Sequence, residues 1–90
     1  QKNMSSKKNL KKEINDTLGA LIEEVYVKEL ATPKLDIKKS EKIIDEAIAL
    51  FDDLIQKMHD ENDAPKKHFS AIRTSLRDNA AALSAKIEKL

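Results

Sequence analysis

Apolar residues recur along this chain at gaps of three and four. The clearest run closes the sequence: Phe69, Ile72, Leu76, Ala80, Leu83, Ile87 and Leu90. That spacing gathers them on one side of an α-helix. An earlier run, Leu10, Ile14, Leu18, Leu21, Ile22 and Val25, occupies an arc of about 120° at 100° per residue. Between them, Ile37, Ile43, Ile44, Ala47, Ile48, Leu50, Phe51, Leu54, Ile55 and Met58 cover nearly half a helical cylinder. A face that broad touches two neighbours, which places the second helix between the other two. Leu54, mid-helix and mid-stripe, is the expected centre of the core.

Boundary signals divide these runs into three helices. Ser5 or Ser6 offers an N-cap for the first, which stops before Pro33 because the proline ring disfavours helical geometry at Thr32. Asp36 is a good cap for the second. Asp60-Glu61-Asn62-Asp63 ends that helix, and Asp63 caps the third, with Pro65 in its first turn. Three helices of about 22–26 residues with short connections fold up-down-up, as an antiparallel three-helix bundle. The rival arrangement is a helical hairpin with a swapped or separate helix, completed by a second chain. Residues 1–6 read as a frayed start, with Met4-Ser5-Ser6 as the native beginning behind a short foreign lead, and residues 1–90 as one domain.

Some residues fall outside the stripes. Gly19 lies off the first arc and costs about 1 kcal/mol relative to alanine, so it marks an expected close contact. Val27 points nearly opposite its stripe, and Tyr26 and Leu30 sit at the edge. On the third helix the side away from the core carries Ala71, Ser75, Ala82 and Ala85. Small residues permit close helix approach. These two sets, Tyr26, Val27 and Leu30 with Ala71, Ser75, Ala82 and Ala85, form the candidate protein interface.

Composition narrows the reading. One glycine and two prolines leave little turn chemistry for a sheet with several hairpins. Ten Leu, nine Ile, two Val, two Met, two Phe and one Tyr are enough for one thin core. A core that thin favours help from self-association, with a C2 homodimer the commonest form. There is no cysteine, hence no disulfide framework, thiolate metal site or cysteine nucleophile. No apolar run nears the ~18 residues of a membrane span, and no signal-peptide core is visible, so the expected location is the cytoplasm.

Charge is segregated beneath a net +1. Residues 1–12 hold Lys2, Lys7, Lys8, Lys11 and Lys12 and no acid; residues 13–63 hold fourteen acids against six bases; residues 64–90 hold six bases against two acids. The plain reading is complementarity between an acidic second helix and a basic third one. The alternative is a footprint for a polyanion, with Lys66, Arg73 and Arg77 near one side of the third helix. Against it stand two arginines in all and an aromatic content of 3%, too little for base stacking. The lysine-rich first helix also fits a membrane-surface helix loosely, but its apolar residues are needed for the core.

Chemistry is harder to find. His59 and His68 flank the second connection with Asp60, Glu61 and Asp63 nearby, a conceivable metal set but an ordinary polar turn. His68 lacks the small-residue surroundings of a phosphorelay histidine. The neighbouring carboxylates Glu23-Glu24, Asp45-Glu46 and Asp52-Asp53 diverge by 100° on a helix and do not converge on a substrate. A single glycine cannot build a phosphate-cradling loop. No catalytic, cofactor-binding or metal residues are therefore assigned, and the expected function is a non-catalytic helical interaction module for a protein partner or a second copy. The alternative is a nucleic-acid-associated regulator.

Overall fold

The computed structural model is all-helical: α1 (Lys2–Ala31), α2 (Ile37–His59) and α3 (Pro65–Glu88) pack as a three-helix bundle. It describes the backbone of residues 2–60 and 65–90 and the side-chain surroundings of residues 7–60 and 67–90. Among the described residues there is no strand, and no helix is long and apolar enough to cross a membrane.

All three stripes meet in one core. Helix α1 contributes Leu10, Ile14, Leu18, Leu21 and Val25; α2 contributes Ile43, Ala47, Leu54 and Met58; α3 contributes Ile72, Leu76, Leu83 and Ile87. Leu54 is fully buried. Ile22, Ile44, Leu50, Phe51, Ile55, Phe69, Ala80 and Leu90 pack against this cluster and stay partly exposed. Burying each large side chain contributes roughly 1.5–3 kcal/mol, much of which chain entropy offsets.

The helix ends follow local chemistry. Asp36 has extended backbone geometry, and its Oδ1 accepts from the Lys38 N–H at 3.0 Å, which satisfies one of the orphan donors at the start of α2. Helix α1 ends two residues before Pro33, and the Thr32 N–H closes onto the Lys28 carbonyl at 2.9 Å. Lys28 and Lys86 lie in the last turns of α1 and α3, where a cation complements the helix dipole. Pro65 is the first residue of α3, where its missing N–H has no helical partner to lose. The proposed Asp63 cap lies outside the described residues.

Four sequence expectations change. Helix α1 begins at Lys2, so Ser5 and Ser6 lie inside it rather than capping it. No proline or glycine interrupts that stretch, and serine costs only a few tenths of a kcal/mol more than lysine in a helix. Helix α2 is not interposed between the other two, because α1 and α3 also pack directly on each other. The broad apolar face of α2 is only partly used: Ile37 and Ile48 are each 49% exposed. They lie at the edge of an arc whose middle is set by Ile43, Ala47, Leu54 and Met58. Gly19 makes no close contact within the chain, since a Cβ built there meets nothing within 4 Å.

Candidate interaction surface

The three seams between helices are finished differently. Across the α1/α3 seam, Arg73 Nε donates to Glu13 Oε1 at 3.1 Å, and Lys28 Nζ lies 3.5 Å from the Glu88 carbonyl. Across the α2/α3 seam, Lys86 Nζ lies 3.1 Å from both carboxylate oxygens of Glu46. At the far end of that seam, His68 donates through Nε2 to the Lys57 carbonyl, which also accepts from the Asp60 N–H. The expected complementarity between acidic α2 and basic α3 is therefore present as a specific contact.

The α1/α2 seam has no such ion pair among the described residues. Among the described residues, its polar bridge is Ser40, fully buried in the first turn of α2. Ser40 Oγ lies 2.6 Å from Glu29 Oε2 and 2.9 Å from the Ile37 carbonyl, and its single proton can serve one acceptor at a time. Sequence reasoning passed over Ser40. Its phase was the available signal: Ser40 falls at helical spacing with Ile43, Ala47, Leu54 and Met58.

Two grooves open along this same seam. One, of about 210 Å³, is lined by Asn15, Leu18, Gly19, Ile22, Ala47, Ile48 and Phe51 and is almost wholly apolar. The absent side chain at Gly19 leaves its roof open. The other, about 410 Å³, is formed by Tyr26, Glu29, Ile37, Glu41, Ile44 and Asp45. Tyr26, Ile37 and Ile44 share its lining with three carboxylates. Among the described residues no cation pairs with those three acids. At this groove the charged side chains of both helices are acids, so they cannot pair with one another.

The predicted interface residues separate into two sets. Tyr26, Val27 and Leu30 are 51%, 62% and 89% exposed, and Tyr26 lines the acid-walled groove. On α3, Ala71, Ala82 and Ala85 are exposed, and Ser75 is half-buried, its carbonyl and Oγ both accepting from Asn79 Nδ2. No member of the α3 set lines that groove.

Arg73 is engaged with Glu13, Arg77 is exposed, and Lys66 lies on α3 with its side-chain surroundings outside the described residues. Lysines converge elsewhere, in a groove of about 260 Å³ at the α2/α3 seam lined by Lys39, Lys42, Ile43, Glu46, Lys86, Lys89 and Leu90. Periodicity does not announce this groove, because its four lysines come from two segments distant in the chain. Around the second connection, His68 is held by the Lys57 carbonyl, while Glu61 and Asp63 lie outside the described residues. Among the described residues, no three or more His, Asp or Glu side chains gather as a metal site would require. No protein-family model, no curated protein and no solved structure matches this chain.

Proposed function

We propose that this chain is a non-catalytic helical interaction module that binds a protein partner through the side of the bundle formed by α1 and α2. The observation that carries the reading is the apolar surface left on these two helices: Tyr26, Ile37 and Ile48 line the grooves of the seam and are each about half exposed, and Val27 and Leu30 of α1 are more exposed still. Scattered single residues of this kind need no explanation, but several of them beside one apolar and one acid-lined groove have the character of a docking face. The bundle itself is read as up-down-up. Glu13 with Arg73, and Lys28 with Glu88, keep a constant spacing of 60 residues, as parallel α1 and α3 would. Glu46 with Lys86 and Lys57 with His68 run in opposite senses, as antiparallel α2 and α3 would.

The test is binding by the folded chain and by Leu30→Lys and Ile48→Lys. Both positions are solvent-exposed, so helicity is expected to be unchanged. Proteins retained from the native host are identified by mass spectrometry, purified and titrated by calorimetry. A saturable protein partner, heterologous or a second copy, that is lost with Leu30→Lys supports the reading. Absence of any saturable partner, or binding indifferent to both variants, overturns it.

A second reading is favoured by the lysine groove at the α2/α3 seam. Four ammonium groups around one carboxylate suit a polyanion, and such binding would weaken steeply with salt. Retention of duplex DNA or RNA at ~50 mM salt, lost in Lys39→Glu/Lys89→Glu, would support it.

A further inference from the structure

The interaction reading leaves the partner open, and the geometry of α1 points to one. Lys8, Lys12, Asn15, Gly19, Ile22, Tyr26 and Glu29 follow one another at gaps of four and three. They form a second stripe on α1, beside the core stripe, overlooking the α1/α2 seam. Gly19, Ile22 and Asn15 line one groove of that seam, and Tyr26 and Glu29 line the other. The stripe is polarised. Its first third is basic, its middle is a glycine, and its last third is apolar and acidic.

This order is self-complementary about Gly19. Lys12 lies seven residues before Gly19 and Tyr26 seven after, about 10 Å along the axis in each direction at 1.5 Å per residue. Lys8 lies eleven before and Glu29 ten after, about 15–16 Å. A two-fold axis through Gly19 would lay the basic end of each α1 over the acid-walled groove of the other. Resting on the interaction reading above, we propose that the α1/α2 seam is the interface of an antiparallel C2 dimer of this chain. Lys8 and Lys12 of each copy would meet Glu29, Glu41 and Asp45 of the other.

Three observations converge on that arrangement. The charges complement each other: Lys7, Lys8, Lys11 and Lys12 are exposed, and the groove acids Glu29, Glu41 and Asp45 have no cation among the described residues. Lys12 does lie 3.4 Å from Asp16, but both side chains are well exposed, and such a pair exchanges readily for a better one. Gly19 weakens an exposed helix interior with no reason inside the monomer, whereas a second helix crossing there would use the missing side chain. The half-exposed Ile48 rims the groove at the proposed crossing. The molecule extends 49 × 19 × 16 Å, so one long side accommodates the roughly 800 Å² per partner of a standard interface.

Sedimentation equilibrium of the full chain decides, over about a hundredfold concentration range at about 50 mM and about 500 mM salt. The native chain should move from 10.2 kDa to twice that mass as concentration rises, with weaker association at the higher salt. Lys8→Glu/Lys12→Glu and Glu41→Lys/Asp45→Lys should each weaken association by at least about tenfold, with unchanged far-UV circular dichroism, since like charges then face each other. The chain carrying all four substitutions should recover association, because the complementarity is restored with its sign inverted. A mass fixed at 10.2 kDa into the high micromolar range overturns the dimer and leaves the heterologous partner of the preceding section to its own test. A dimer indifferent to both charge reversals, or not rescued by their combination, overturns the proposed interface.

Discussion

The α1/α3 and α1/α2 seams of this bundle make an instructive pair. Both bury the same side of α1, and both rest on leucine and isoleucine packing. The α1/α3 seam sets Glu13 against Arg73, and that pair bridges it. The α1/α2 seam brings Glu29, Glu41 and Asp45 together at one end, and it carries a buried serine and two open grooves instead. Hydrophobic burial therefore brings all three helices together, while the pattern of charge decides which seams are finished within the chain and which face outward. Surface ion pairs contribute little energy, but their absence leaves acids and apolar edges available to something else.

The largest test of this contrast is in the shared core, where both seams depend on the same side chains. Leu54→Ala should cost ~2–5 kcal/mol in denaturant unfolding, because a fully buried leucine leaves a cavity that the helices close only in part. A loss under ~1 kcal/mol would mean that Leu54 does not anchor the core. At the α1/α2 seam, Ser40→Ala should cost ~1–2 kcal/mol, since Glu29 loses its hydroxyl donor in a partly buried position. An unchanged stability would show that solvent replaces that donor, and that the seam lacks even this internal bridge. At the α1/α3 seam, a double-mutant cycle of Glu13→Gln with Arg73→Gln should give a coupling of only ~0.2–1 kcal/mol, as both groups are substantially exposed. A coupling of several kcal/mol would make charge a fastener of the bundle rather than a selector of which face stays open.

How much of this was legible in the sequence follows the same division. The core was legible because helical periodicity fixes which residues point inward, and Leu10, Ile14, Leu54, Leu76 and Ile87 all lie where their phase puts them. The ends at Pro33, Asp36 and Pro65 were legible because capping is local. The start of α1 was misread at Ser5 and Ser6, since a serine that can cap a helix can equally lie inside one. Ser40 was readable in phase but not in chemistry, because nothing near it in sequence announces Glu29 as its partner.

The candidate surface was legible at one end only. Tyr26, Val27 and Leu30 stand outside the α1 stripe, and their exposure follows from that phase. The groove that Tyr26 lines is built with Ile37, Glu41, Ile44 and Asp45 of α2, and which residues of two helices come level depends on packing that periodicity does not encode. Gly19 was legible as an anomaly, with the sign of its meaning reversed. The expected close contact within the chain is open space.

That open space gives the most direct measurement. Gly19→Leu should behave oppositely on the two sides of the contrast. Dilute and dissociated, the variant should unfold at a temperature equal to or above that of the native chain, because leucine is the better helix former by about 1 kcal/mol and its Cβ meets nothing. Concentrated, it should remain at 10.2 kDa where the native chain has associated, because the new side chain stands where a second α1 would cross. A Gly19→Leu variant that associates as tightly as the native chain would contradict an outward-facing α1/α2 seam centred on Gly19.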